Sequence, residues 1–200
     1  MRALGEGSGV AVAAGLAPPA ARDMRAEARV RSAVAEHHTF IWRALRRFGV
    51  AEEHADDAAQ QVFCVFARRL ADVPREKEKT FLCGVAVRVA QEARRQRGRR
   101  SEESDEHALA SAPSPAPGPD EQLDDRRALA TLETILQAMP GGPRAVFVLH
   151  EIEELTMSEI SVALRIPAGT VASRLRRARE VFEVLAERAR LAAAAPGGDR

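Results

Sequence analysis

The segment 101–122, SEESDEHALASAPSPAPGPDEQ, limits what this chain can fold into more than any other stretch. It is rich in acid, proline and serine. Its apolar surface is too small to offset the entropy lost on ordering it. A linker therefore divides the chain, and each side must build its own small core.

The two sides carry charge unlike that of the connector. Six arginines and one acid lie between Arg88 and Arg100, and five arginines and no acid between Arg165 and Arg179. Eight acids and no Lys or Arg lie between Ser101 and Asp125. The formal net charge of +1 is uninformative, but its distribution is not. Two basic patches around an acidic connector imply two contacts with a polyanion and a tether that avoids it.

Both sides read as helical, because alanine, arginine and leucine dominate and no alternating β-branched run suggests a strand. A first helix is expected over 25–48, with Val30, Val34, Ile41, Leu45 and Phe48 on one stripe and Gly49 as its stop. A second begins near Glu52, whose acids suit a helix start. It buries Ala55, Ala59, Val62, Phe63, Phe66 and Leu70. After the charged loop 71–78, a third helix runs to about Arg97, buries Phe81, Val85, Val89 and Ala93, and stops at Gly98.

Beyond the linker, Leu129, Leu132, Ile135, Leu136 and Met139 define one helix, and Pro143 opens another. Thr156 to Glu159 has the form of a capping box. Ile160, Ala163 and Leu164 mark a short helix, 165–168 is a break, and Pro167 suits a new helix start. Val171, Leu175, Ala178, Phe182 and Leu185 then share one stripe. Gly169, Ser173, Arg176, Arg177 and Glu180 fall on the opposite side. A small, basic helix face after a turn suits the DNA major groove, where arginine finds guanine acceptors. Arg165 stands in that turn where glycine is common, and costs on the order of 1 kcal/mol if the backbone needs positive φ. Arg179 is placed either to pair with Glu183 or to meet a phosphate.

The expected fold class is all-α, with a three-helix bundle and a four-helix unit containing a helix-turn-helix. The expected divisions are a disordered extension over 1–24, a first domain over 25–100, the linker over 101–122, a second domain over 123–190 and a disordered tail over 191–200. Residues 1–24 contain glycine-broken apolar residues and read as an extension rather than a signal peptide. Met24 is an alternative start to Met1. Cys64 and Cys83 lie in apolar periodic segments and read as buried thiols in a reducing cytoplasm. No Cys or His cluster has metal-ligand spacing, no run of apolar residues is long enough for a membrane span, and no nucleophile–base pair or phosphate loop is evident. No metal, cofactor, catalytic residue or membrane insertion is expected.

Two segments carry a resemblance. His54–Leu70, HADDAAQQVFCVFARRL, is similar to region 2 of the extracytoplasmic-function (ECF) sigma factors, with Ala55, Asp56, Asp57, Gln60, Gln61 and Phe63 at the matching places. Ile166–Glu180, IPAGTVASRLRRARE, resembles the G-T-V-x-S-R-L-x-R-A-R core of region 4. The resemblance spans about 28–98 and 123–188, in the family's order. Departures are Phe81 where tryptophan is common, Arg88 where asparagine is common and Ala172 where a long basic residue is common.

The resemblance implies a transcription initiation factor of RNA polymerase. Asp56, Asp57, Gln60 and Gln61 would dock on the β′ coiled coil of core polymerase, and the second domain on the β flap. Arg88, Arg94, Arg95 and Arg97 would meet the −10 element, with the loop 71–80 receiving a base turned out of the duplex. Thr170, Ala172, Ser173, Arg174, Arg176 and Arg177 would meet the −35 element. Ser173 and Arg177 are the best base-edge candidates, and Thr170 and Arg174 suit phosphates. An anti-sigma factor is the implied regulatory partner. The alternative is a stand-alone helix-turn-helix regulator, which would bind DNA without polymerase and usually as a dimer. The chain shows no dimer-forming segment.

Overall fold

The computed structural model describes residues 19–103 and 120–194, and among them every regular element is helical. Helix α1 spans Pro19–Arg47, α2 Glu52–Arg68 and α3 Glu78–Glu103. Single 3-10 turns at Leu70–Asp72 and Arg75–Lys77 join α2 to α3. Helix α4 spans Asp120–Ala138, and α5 spans Gly141–Phe147 before a π turn at Val148–Ile152. Helices α6, Met157–Leu164, and α7, Ala168–Ala194, complete the chain.

The first three helices form a bundle because each has an apolar stripe to cover. Ile41 and Leu45 of α1, and Phe48 just beyond its end, share one core with Ala59, Val62, Phe63 and Phe66 of α2, and Ala55 is buried as well. Val30 and Val34 are half-buried against the same core. Gly49 ends α1 at φ +96°, a conformation that only glycine adopts cheaply. The second unit packs α5 and α6 against α7, through Val146, Leu149, Ile160, Val171, Leu175 and Ala178. Phe147 stacks on Phe182 with ring centroids 4.7 Å apart.

Several boundaries differ from the sequence expectation. Helix α1 starts at Pro19, not near Arg25, because proline at the first helical position loses no hydrogen bond. Gly98 does not stop α3. A lone glycine that keeps helical φ costs only about 1 kcal/mol, so the helix continues through it. Pro140 precedes α5, and Pro143 sits inside its first turn rather than opening it. The expected linker lies mostly outside the described residues, but α3 ends at Glu103 and α4 begins at Asp120. The extension lies outside them as far as residue 18 and the tail from 195. Among the described residues, no helix is long and apolar enough to cross a membrane.

Cys64 is exposed rather than buried. It stands one turn beyond Gln60 and Gln61, so it shares their polar stripe instead of the apolar face. Cys83 is buried, and burial pushes its thiol up to about 12.

Helix α3 is covered from two directions. Leu82, Cys83, Val85, Ala86, Val87, Val89 and Ala90 are all buried, whereas Phe81 and Ala93 from the expected single stripe are only half-buried. The bundle covers one side and α6 the other. Gly84 makes that approach possible. A Cβ there would lie 2.4 Å from the carbonyl oxygen of Ala163, inside any tolerable contact. The two units are therefore packed directly on one another.

Candidate nucleic-acid interface

The helix-turn-helix is set by caps at both ends of α6. Thr156 and Glu159 form the reciprocal capping box. The Glu159 amide donates to Thr156 Oγ1 at 3.3 Å, and the Thr156 amide donates to Glu159 Oε2 at 3.0 Å. The Thr156 amide, and then its hydroxyl at 2.8 Å, donate to the Glu159 carboxylate and hold it below its ordinary range. At the other end Arg165 adopts φ 54° and ψ 46°. Its amide bonds to Val162 O at 3.3 Å, and the Ile166 amide to Ser161 O at 3.2 Å. This is a Schellman closure with arginine in the left-handed position. Ser161 Oγ adds a bond to Ile166 O at 2.6 Å. The backbone at Arg165 does take positive φ, so the conditional cost of a non-glycine residue there applies.

The closure aims α7 outward. Val171, Leu175 and Ala178 anchor its buried side. Ala172, Ser173, Arg176 and Arg177 are exposed, and Thr170 and Arg174 are half-buried at the flanks. Ser173 Oγ donates to Thr170 O at 3.1 Å, a local bond that a base edge could replace. Arg176 lies 3.4 Å from Glu180, an exposed pair worth little. Arg174 lies over Gly142, which offers no side chain to block it. Arg179 does not pair with Glu183. Both its Nε (2.9 Å) and its Nη2 (2.6 Å) bond to Oε1 of Glu151, at the end of the π turn. This bond lowers the Glu151 carboxyl pKa. Glu151 wins because it lies across the fold beside α7, and the guanidinium reaches it with two donors at once.

Along α2, Asp56, Asp57, Gln60 and Gln61 all point to solvent, forming one polar face opposite the buried alanines and phenylalanines. On α3 the four candidate arginines are all exposed, but their neighbours differ. Arg95 and Arg97 are exposed, with Arg95 3.5 Å from Glu92. Arg88 reaches within 3.5 Å of Ala163 O at the end of α6. Burial, then nearby Arg165, pulls the Arg88 pKa down. Arg94 extends toward Gly49 and Gly141, beside the junction of the two units.

Residues that sequence reasoning missed lie at that junction. Arg144 is fully buried. Its Nη2 donates to Gln137 O and Met139 O, each at 2.7 Å, and its Nη1 to Phe48 O at 3.2 Å. Burial, then the charge of Arg94, lowers its pKa to about 10. The guanidinium tolerates the site because it sits at the negative C-terminal ends of α1 and α4. Arg47 pairs with buried Glu153 at 2.8 Å, and Lys79 donates to Glu153 O at 3.0 Å. A glycine in the middle of the otherwise apolar α3 was the one readable signal of a close backbone approach.

Among the described residues, no group of three or more His, Cys, Asp or Glu could hold a metal. The described surface offers instead one polar helix face, one basic helix end and one capped helix-turn-helix. Together these define a two-unit DNA-binding protein. Residues 33–100 match the sequence profile of Sigma-70 region 2, and residues 129–181 that of Sigma-70, region 4. The RNA polymerase sigma-H factor of Pseudomonas aeruginosa is 31% identical over 149 residues, covering 68% of this chain and 75% of that protein. The ferric citrate uptake sigma factor FecI of Escherichia coli is 30% identical over 137 residues, 68% of this chain and 78% of that one. The ECF RNA polymerase sigma factor SigE of Mycolicibacterium smegmatis is 28% identical over 147 residues, 74% of this chain but only 57% of that protein's length.

Two solved structures share the fold. One is CnrH in complex with the cytosolic domain of CnrY, with a TM-score of 0.59 and 22% identity over 80% of this chain and 89% of that one. The other is the sigma factor RpoE of Bartonella quintana in complex with the anti-sigma factor NepR, with a TM-score of 0.62 and 16% identity over 78% and 96%. The chain belongs to the ECF sigma factors of the sigma-70 family and is an RNA polymerase sigma factor.

Proposed function

We propose that this chain binds core RNA polymerase through Asp56, Asp57, Gln60 and Gln61 and directs initiation at promoters read by α3 and α7. The observation that carries the reading is the pairing of a solvent-facing polar stripe on α2 with a capped, basic α7 in one chain. A stand-alone regulator needs only the second. Ser173 and Arg177 of α7 are the base-edge readers at −35, followed by Arg176. Thr170 and Arg174 hold phosphates, which fix register without specifying sequence. Ala172 is too short for a base contact and gives close approach instead. The β flap of the polymerase receives the second unit.

At −10, Arg95 and Arg97 track phosphates from the exposed end of α3, and Arg88 and Arg94, exposed beside the second unit, extend the same basic run. The loop 71–80, which has no aromatic residue, receives the turned-out base. Extruding a base costs a few kcal/mol, so a well-matched promoter is needed. The protein acts in the cytoplasm, without a cofactor and without chemistry of its own, and an anti-sigma factor covers its docking faces. A sigma factor of this fold, RpoE of Bartonella quintana, has been solved with the anti-sigma factor NepR bound.

The test is a pull-down of core polymerase with wild type and with Asp57→Lys/Gln60→Lys. Wild type should retain polymerase and the double variant should lose it with its helical circular dichroism unchanged. Retention of polymerase by the double variant overturns the docking assignment. DNA binding by wild type with no affinity for polymerase returns the stand-alone reading.

A further inference from the structure

The loop between α2 and α3 has little of its own to hold it in place. Among the described residues its backbone bonds are local. The Asp72 amide donates to Arg69 O at 2.9 Å, the Val73 amide to Leu70 O at 3.4 Å and the Lys77 amide to Pro74 O at 3.0 Å. Each closes a single turn, and Pro74 has no amide to give. The Arg69–Asp72 pair at 2.8 Å is exposed and worth little. Val73 is buried, whereas Ala71, Asp72, Pro74, Arg75, Glu76 and Lys77 are exposed. A segment with so few anchors samples many shapes unless another element fixes it.

Arg29 of α1 is that anchor. Its Nε donates to Glu78 Oε1 at 2.7 Å, its Nη1 to Leu70 O at 3.0 Å and its Nη2 to Val73 O. The guanidinium also lies 5.9 Å from the ring centre of Phe66, near the end of α2. One side chain thus holds the start of the loop, its middle and the first residue of α3, across 41 to 49 residues of sequence. Arginine suits the task because its donors form a rigid fork, and bonds from a cation are stronger than neutral ones. Its side chain is 18% exposed and that of Glu78 12%, so water weakens the bonds little. All three nitrogens are engaged within the protein, so Arg29 acts through the loop rather than on DNA.

We infer that Arg29 is a positioning residue for −10 recognition: it sets the loop 71–80 in the shape that receives the extruded base, and leaves the exposed outer side of the loop for the strand. The role in base selection rests on the function proposed above, whereas the clamp on the loop does not. A preset loop meets the base without first losing its own conformational freedom. A loose loop adapts to the wrong base, whereas a fixed one rejects it by clash or unpaired groups. The clamp matters more here because 71–80 holds no aromatic residue to grip a base by stacking.

The experiment has two arms. In the free protein, amide hydrogen exchange by NMR reads the clamp. Arg29→Gln should speed exchange at Asp72, Val73 and Lys77 by at least about tenfold, and leave Val62 and Phe66 of α2 within about twofold of wild type. In the second arm the holoenzyme, core polymerase with this protein, binds single-stranded −10 oligonucleotides carrying each of the four bases at the extruded position. Their sequence comes from a promoter mapped by run-off transcription. Wild type should favour one base by at least about tenfold. Arg29→Gln should cut that preference at least about fivefold, with affinity for core polymerase and for −35 duplex within about twofold. Glu78→Gln removes the ion pair but keeps both carbonyl bonds, and should stay within about twofold of wild type in both arms. Circular dichroism identifies a variant that fails to fold. Should Arg29→Gln fail, Arg29→Lys, which keeps the charge without the fork, decides with the same signs. Exchange unchanged in the folded variants overturns the clamp, and a loss in Glu78→Gln equal to that in Arg29→Gln overturns its dependence on the carbonyls. Faster exchange with base preference intact overturns the positioning role. Wild-type holoenzyme without base preference overturns the base-receiving reading of the loop and with it this role of Arg29.

Discussion

Arg144 donates to the backbone carbonyl of Phe48 at 3.2 Å across 96 residues of sequence, so one buried cation closes the ends of helices in both units. Its other bonds, to Gln137 and Met139, close α4. Substitution by methionine keeps the bulk and leaves buried carbonyls unpaired. The expected loss is about 3 kcal/mol, a fall in Tm of roughly 6–12 °C for a chain of this size. A Tm within about 2 °C of wild type in calorimetry would contradict this account of Arg144.

Arg165 pays a backbone cost in the turn of the helix-turn-helix. Arg165→Gly keeps the Schellman bonds and removes the Cβ strain. It should raise stability by about 1 kcal/mol, some 2–4 °C in Tm. Arg165→Ala should give none of that gain, because alanine keeps the Cβ. A glycine variant less stable than wild type would show that the arginine side chain contributes more than its backbone costs.

Glu151 and Glu153 are two residues apart and should respond to acid in opposite directions. The Arg179 hydrogen bond depresses the Glu151 carboxyl below 4.5. Its contribution is present above 4.5 and is lost as pH falls through the depressed value. Burial raises the Glu153 carboxyl above 4.5, against the pull of Arg47. In that raised window the folded state binds more protons than the unfolded one. Stability from Glu153 therefore grows as pH falls toward 4.5. In urea melts, wild type should gain on Glu153→Gln between neutral pH and 4.5, and lose ground to Glu151→Gln below it. Shifts of the same sign for both would refute the assignments.

Arg177 and Arg174 of α7 should be separable on DNA. Arg177→Ala should relax one −35 position, by about 1–3 kcal/mol of discrimination. Arg174→Ala should weaken all −35 sequences alike and reduce the salt slope by about one. A binding series over single-base variants at two salt concentrations distinguishes them, and the reverse pattern overturns the assignment.

The helical plan was legible because both units are strongly amphipathic, as Ile41, Leu45, Val62, Phe66, Val171 and Leu175 illustrate. The cap at Thr156 was legible because local bonding sets it, whereas at Arg165 the sequence left open whether the turn takes positive φ. Helix ends were less so, since Pro19 and Gly98 act through small differences in propensity. What stayed hidden depends on the contact between units. Periodicity describes one helix at a time, so it gave α3 a single buried stripe, whereas α6 covers a second side over Gly84. Arg144 looked like any surface arginine, because only the convergence of α1 and α4 makes its burial tolerable. Arg179 found Glu151 instead of Glu183 because the nearer partner lies on another element.

Run-off transcription with purified core RNA polymerase on genomic fragments tests the central claim most directly. The account predicts discrete transcripts that require this protein, share −10 and −35 elements, and disappear with Asp57→Lys/Gln60→Lys. Binding to DNA in the absence of polymerase, with no transcript from any fragment when core polymerase is supplied, would contradict it.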